Sequence, residues 1–320
     1  MVVIKNFNPL FQKLNSRFPG TNVPVEGGDA PSLHLFHAAN SVCSQKVRAV
    51  LLTTRQAFVS HSLDIFKGET YDPDHVRLRA AGCLALGIPL AADHTGTTSA
   101  TTAGCDACVV PMIAIPESEE LLLDSKKICI ELDRRNPVAA ETLMPPRLTA
   151  EIEAELAIVD DVPNYQLGVA AGKTTIDNSV AMFKVSRCDA LIAEHGDDES
   201  LRPAYEAKRS KELAAATRLF DDAAIDRARA QTEEALGQLD ARLRRSDGPY
   251  LFGAFLTMAD VFWGVELIRI NDFGMSSAWE GGRLTALAKY YETVSNHPGV
   301  SGAFDGWPGA RAAIKPASKI

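Results

Sequence analysis

Apolar spacing divides the chain into two unlike stretches. Leu33-His34-Leu35-Phe36-His37 reads as a short strand, and the run from Lys46 to Leu52 reads as a helix with Val47, Val50 and Leu51 on one side. Val59, His61, Leu63 and Ile65 alternate with polar neighbours, as a second strand would. A short turn or helix is expected around 73–78. Strand signals return over 109–115 and again at Leu121-Leu122-Leu123, with a hairpin expected at 117–119. Asp124-Ser125 then starts a helix carrying Ile128, Cys129 and Leu132 on one side. The order over 32–136 is thus β, α, β, then β, β, α. Residues 80–108 interrupt it, rich in Gly, Ala and Thr and weakly periodic. A loop of that length in a compact domain is usually functional or partly disordered.

Beyond 136 the strand signals stop. Residues 137–148 hold three prolines and little apolar pattern, and read as a linker. Ile152, Leu156 and Val159 mark one helix, and 204–244 reads as long, Ala-rich and charged, with i,i+4 pairing. Thr257 and Asp260 have capping-box spacing ahead of Val261, Phe262, Val265 and Leu267. A last helix is expected over 284–294. The division that follows is an N-terminal extension (1–31), an α/β part (32–136) with an insertion at about 80–108, a linker (137–148), an all-helical part (149–310) and a tail (311–320). The extension carries no signal-peptide h-region and is expected to drape over the folded part or trail from it.

Composition narrows the function classes. With 46% hydrophobic and 23% charged residues, the 320-residue chain has the balance of a globular protein. A net charge of −8 and no long basic run argue against nucleic-acid binding by counterion release. No apolar stretch approaches the roughly 18 residues of a membrane helix. Six cysteines in this length do not make a disulfide scaffold, so a reducing, cytoplasmic setting is expected.

The candidate chemistry lies at element starts. Ser41 and Cys43 fall at the N-terminus of the first helix, where unpaired N–H groups and the helix dipole favour a thiolate over a thiol of pKa about 8.5. The plainer alternative is that Ser41 only caps the helix and Cys43 is a small buried hydrophobe. Val110-Pro111 opens a strand; proline cannot donate to the ladder, and X-Pro is where cis bonds occur. Ser125, after Asp124, is expected to be the N-cap of its helix.

These motifs, in this order, resemble the glutathione S-transferases. Ser41-Val-Cys43, Val110-Pro111, Asp124-Ser125 and Gly248-Pro-Tyr-Leu-Phe-Gly253 ahead of Thr257-x-x-Asp260 carry the likeness. The implied fold is an α/β thioredoxin-like N-terminal domain plus an all-α C-terminal domain, with glutathione as cofactor. Within the family the chain is most similar to glutathione-dependent reductive dehalogenases of chlorinated hydroquinones. Ser41 to Arg48, the Tyr71-x-Pro-x-x-Val-Arg-Leu-Arg79 run, the insertion, Leu123-Asp-Ser-Lys126 and Trp307-Pro-Gly309 support that. The resemblance implies that Ser41 donates to the glutathione sulfur. Val110, through a cis bond to Pro111, would pair with its cysteinyl backbone, and Asp124 and Ser125 would hold its γ-glutamyl end. Cys43 would exchange with a glutathionyl aromatic intermediate. It further implies a small aromatic substrate and a dimer, favoured as two copies of this chain.

Other residues invite weaker readings. Cys105-Asp-Ala-Cys108 has CxxC spacing but lacks further ligands beyond His94, so no metal is expected and both read as plain insertion cysteines. Cys83, Cys129 and Cys188 read as packing residues. His37 is a candidate to face the substrate. Trp263, Trp279 and Arg269 lie in the helical part expected to supply the aromatic pocket, with a surface salt bridge favoured for Arg269. The competing functions are cleavage of a lignin-type β-aryl ether, a zeta-like maleylacetoacetate isomerisation, and a non-enzymatic glutathione-binding module.

Overall fold

The computed structural model of the chain describes residues 4, 6–25, 31–96, 104–136, 142–171, 173 and 176–311. Its α/β half begins earlier than the sequence pattern suggests. Helix α1 (Phe7–Arg17) buries Phe7, Phe11 and Leu14, spaced i, i+4, i+7 along one side. Strand β1 (Thr21–Val23) follows, then β2 (Leu33–His37), α2 (Val42–Thr53), β3 (Phe58–Ser62), α3 (Pro73–Ala85), β4 (Met112–Ile115), β5 (Glu120–Leu123) and α4 (Ser125–Arg134). The sheet order is β1-β3-β2-β4-β5. β2 and β3 run parallel across the α2 crossover, and the β4–β5 hairpin is antiparallel, with Met112 opposite Leu123 and Ile115 opposite Glu120. This is the expected thioredoxin-like order plus one added strand.

That added strand, with α1, gives residues 7–23 of the expected extension an ordered place in the sheet and core. β1 pairs antiparallel with β3, Thr21 opposite Ser60. α1 lies on the sheet face that carries Phe36, Met112, Ala114, Leu121 and Leu123, beside α3. The opposite face packs α2 and α4 and merges into the helical half through one continuous core, from Leu35 and Val50 to Phe262 and Val265. β2 and β4 are therefore buried on both faces, which is why 109–115 reads as an unbroken apolar run. His61 ties the N-terminal segment down: its Nδ1 pairs with the Phe18 carbonyl at 2.6 Å and its Nε2 with His34 Nδ1 at 2.9 Å.

The helical half comprises α5 (Thr149–Asp160), α6 (Asn164–Ala170), α7 (Ser179–His195), α8 (Arg202–Arg218), α9 (Asp222–Leu243), α10 (Met258–Asp272), α11 (Ser277–Glu280), α12 (Thr285–Ser295) and α13 (Pro298–Asp305). The single helix expected over 204–244 is two. Asp221 ends the run by capping α9, its carboxylate accepting from the Ala224 N–H at 2.6 Å. The capping box before α10 is present. Asp260 accepts from the Thr257 N–H at 2.8 Å and hydroxyl at 2.7 Å, and its other oxygen takes the Leu251 N–H and the Tyr290 hydroxyl. α13, absent from the sequence reading, packs closely on α2: a side chain at Gly299 would meet the Thr53 backbone at 2.8 Å. No helix among the described residues is long and apolar enough to cross a membrane.

Candidate active site

The first turn of α2 presents both singled-out residues. Ser41 is the N-cap, its hydroxyl oxygen accepting from the Ser44 N–H at 3.3 Å. Capping uses the oxygen as acceptor and leaves the hydroxyl hydrogen to donate elsewhere. Cys43 stands in the same turn, and among the four free cysteines it alone is only half-buried. The expected lowering of its pKa is overturned. Burial pushes the thiol up, outweighing the Lys46 ammonium and the Ser125 hydroxyl, which bonds the sulfur, while Asp160 and Asp124 add to the rise. Although one edge of Cys43 reaches solvent, protein surrounds the sulfur on nearly every side.

The other polar residues of this turn hold the two halves together, a role the sequence does not disclose. The Lys46 ammonium is fully buried and donates to Asp160 Oδ1 of α5 at 2.9 Å, with the Phe262 ring 4.9 Å away. Burial alone would lower its pKa; Asp160 and Glu266 raise it above its ordinary value. Arg48, also buried, donates twice to the Ala303 carbonyl of α13, at 3.0 and 2.8 Å, and to the carbonyls of Ala38 and Ala39. Gln45 reaches the Ala310 carbonyl at 2.8 Å.

The Val110–Pro111 peptide bond is cis. Among the described residues, neither the N–H nor the C=O of Val110 has a hydrogen-bond partner. Two residues of α3, one turn apart, position this segment. His75 Nε2 pairs with the Val109 carbonyl at 3.0 Å. Arg79 donates to the carbonyls of Asp106, at 3.3 and 3.1 Å, and of Pro111, at 2.5 Å. Both belong to the Tyr71–Arg79 run that carried part of the resemblance, but their partners lie about thirty residues on and were not readable.

At α4 the cap is shifted by one residue from the expectation. Asp124, not Ser125, is the N-cap, and its carboxylate accepts from the Lys127 N–H at 3.0 Å. Its φ of 69° lies in the left-handed region that a non-glycine residue rarely adopts. Ser125 is therefore the first helical residue. Its hydroxyl points at Cys43, while its own N–H and that of Lys126 have no partner among the described residues. Two free N–H groups at a helix start suit a carboxylate.

Other expectations change. His37 is fully buried between Ser60 Oγ at 2.8 Å and Arg48 at 2.9 Å, so it faces no substrate. Trp263 is core, its Nε1 donating to Glu155 Oε2 at 3.0 Å, and Trp279 is buried too. Arg269 is half-buried over the Phe273 ring at 4.8 Å rather than in a surface salt bridge. Cys83 and Cys105 form a disulfide across the insertion and are not plain packing residues. Cys108, Cys129 and Cys188 are buried, and burial raises all three thiols.

A thioredoxin-like sheet joined to a helical bundle, with a capped Ser-x-Cys turn facing a cis-proline strand, defines a class, and the comparisons agree. The family described as Glutathione S-transferase, C-terminal domain, matches residues 222–293. The chain belongs to the glutathione S-transferase superfamily. It is 31% identical over 291 residues to a 2,5-dichlorohydroquinone reductive dechlorinase of Sphingobium indicum, covering 87% of this chain and 84% of that one. It is 24% identical over 263 residues to a tetrachloro-p-hydroquinone reductive dehalogenase of Sphingobium chlorophenolicum, covering 81% and 91%. Among solved structures, the β-etherase LigF of Sphingobium sp. strain SYK-6 aligns with a TM-score of 0.56 at 15% identity, covering 86% of this chain and 99% of that one. A Phanerochaete chrysosporium glutathione transferase, solved with oxidized glutathione, aligns at 0.53 and 14%, covering 86% and 96%.

The cofactor of this superfamily is glutathione, and this chain's residues fit it on two counts. The unpartnered Val110 peptide can pair with an extended peptide backbone, and the open N–H groups of Ser125 and Lys126 can take a carboxylate.

Proposed function

We propose that the protein is a glutathione-dependent reductive dehalogenase of a chlorinated hydroquinone. Glutathione enters as a co-substrate, its peptide against Val110 and Pro111 and its γ-glutamyl end at Asp124 and Ser125. Ser41 donates its hydroxyl hydrogen to the incoming sulfur, stabilising the thiolate. That thiolate displaces chloride from the aromatic substrate, giving a glutathionyl hydroquinone. Cys43 then attacks the sulfur of this conjugate. The carbon–sulfur bond breaks, the electron pair stays on the ring carbon, and that carbon takes a proton. Cys43 is left in a mixed disulfide with glutathione, and a second glutathione thiolate frees it by exchange. Aryl chloride and two glutathiones thus give the reduced arene, oxidised glutathione, chloride and a proton.

The observation that carries this reading is the placement of the Cys43 sulfur. It touches the Ser125 hydroxyl and lies within the field of the Lys46 ammonium, in the turn that Ser41 caps. A transferase that stopped at the conjugate would have no use for a second thiol there. The two hydroquinone dehalogenases among its relatives support the substrate class.

The test is chloride release from 2,5-dichlorohydroquinone with glutathione, followed by mass spectrometry of the products. Wild type should give chloride and reduced hydroquinone. Cys43→Ser should give chloride but accumulate the glutathionyl adduct. Normal formation of reduced product by Cys43→Ser would sink the two-thiol scheme, and no chloride from wild type would sink the substrate class. We further propose a homodimer, which light scattering after gel filtration tests directly.

A further inference from the structure

The C-terminal half of α10 carries a polar cluster that the scheme above leaves unused. Helices α2 and α10 pack together, and their pairings run in opposite directions. Lys46 lies over Phe262, whereas Cys43, one turn earlier on α2, interacts electrostatically with Arg269, two turns later on α10. Glu266 stands between them. It is fully buried, and its Oε1 accepts from Asn164 Nδ2 of α6 at 2.8 Å.

Three atoms of this cluster are shut from solvent and have no hydrogen-bond partner among the described residues: Glu266 Oε2, Asn164 Oδ1 and Arg269 Nε. A buried polar atom left without a partner is costly to the fold, so such atoms call for a partner. Glu266 is bonded to Asn164 and interacts with Arg269, which in turn interacts with Cys43, so two open acceptors and one open donor lie in one neighbourhood that suits a group able both to donate and to accept. A hydroxyl on an aromatic ring is such a group, and flanking apolar rings such as Phe273 suit the remainder of it.

We propose that Glu266, Asn164 and Arg269 form the subsite that holds the hydroxyl group of a phenolic substrate, with Glu266 as acceptor of its hydrogen. This rests on the dehalogenase reading for the presence of an aromatic beside Cys43. Burial raises the Glu266 pKa to about 7, against the Lys46 ammonium, the Asn164 amide and Arg269, while Asp160 adds to the rise. The carboxylate can therefore take up a proton near neutral pH. In that transfer the substrate O–H bond breaks, the proton goes to Oε2 and the electron pair stays on the ring oxygen. The resulting charge faces the Arg269 Nε–H. An anionic ring oxygen makes the ring carbons more basic, which serves the protonation of carbon that reductive loss of halogen requires.

The test uses two unreactive probes, 4-nitrophenol and its methyl ether 4-nitroanisole, with the full chain. Equilibrium dialysis gives their affinities, and the visible band of the phenolate gives the ionisation of the bound phenol. Wild type should prefer the phenol by at least about tenfold, since a site built to bond a hydroxyl rejects the analogue lacking it. The isosteric Glu266→Gln should bring that preference within about twofold, and Arg269→Met should shift the bound phenol toward its neutral form. Equal affinity for the two probes in wild type would mean that the cradle holds buried water only, and overturns the proposal without any variant. Retention of the full preference by a folded Glu266→Gln would overturn it as well. If the preference behaves as expected but no chlorohydroquinone is turned over, the subsite stands and the dehalogenase reading falls.

Discussion

Replacing Lys46 by methionine separates the two effects that this buried ammonium exerts. The side chain is fully buried, its nitrogen is 2.9 Å from Asp160 Oδ1, and methionine matches it closely in length and volume. Asp160 would retain Lys126, 3.9 Å from its other oxygen and more exposed. Breaking a buried pair by removing one partner costs about 3–5 kcal/mol. The Lys126 contact places this case near the lower end, about 3 kcal/mol, read as a fall in the urea midpoint with an unchanged slope. The second effect is on Cys43. Lys46 is the strongest influence holding that thiol down against burial, so its loss raises the pKa further. Iodoacetamide reports this selectively, because the other three free thiols are buried. The midpoint of alkylation rate against pH should move upward in Lys46→Met, and Lys46→Arg should restore part of the shift. A variant destabilised as expected but with an unmoved alkylation midpoint would refute the claim that Lys46 acts on the thiol.

Other expectations follow from the same physical terms. Asp106 is buried, with Lys208 at 2.8 Å and Lys211 at 3.1 Å, and these ammonium groups hold its carboxyl far below the usual range. Asp106→Asn should cost about 3 kcal/mol in urea denaturation. It should also loosen the Asp106–Pro111 segment, raising the KM for glutathione; an unchanged KM would refute that link. The Glu266 carboxyl has a folded pKa of about 7 against an unfolded value of about 4.3, so the folded state binds the extra proton. Its contribution is fully present below about pH 4.3 and is lost as pH rises through 7, on the order of 3 kcal/mol. The stability difference between wild type and Glu266→Gln should show that slope, and parallel profiles would contradict it. Deleting residues 1–25 removes Phe7, Phe11 and Leu14 from the core, on the order of 5 kcal/mol of apolar burial. A truncated chain with the wild-type melting temperature would disprove that α1 completes the core.

The strand–helix pairs of the α/β half were legible because period-2 and period-3.6 patterns meet no competing signal there. β2 has the bounds its apolar run marks, and the β4–β5 hairpin falls where the turn residues put it. The break between α8 and α9 was missed because alanine and charged residues continue the helical pattern straight through it. Only the Asp221 cap marks the stop. α1 is hard to see in the sequence although Phe7, Phe11 and Leu14 carry the right spacing, because Asn, Pro and Gly residues around them mask the pattern. Ser41, Cys43, Pro111 and Asp124 all lie at element starts, where the sequence places them. The one-residue cap shift arose because Asp and Ser cap equally well. The direction of the Cys43 shift is not legible in local sequence, because its burial depends on α4, α5 and α10. For the same reason Lys46, Arg48 and Glu266 stayed silent: Lys46 and Arg48 meet partners 114 and 255 residues away.

β1 has a consequence for encounters between molecules. Without it, β3 would end the sheet and present a row of open backbone donors and acceptors to any neighbouring chain. β1 covers that row with only three residues, two of them exposed, followed by Pro24, which has no N–H to offer a ladder. So brief a border offers little template for a further strand. The N-terminal segment thus serves colloidal stability as well as packing. Proteolytic nicking beyond Val23 would leave a fold whose failure appears first as turbidity that grows with protein concentration.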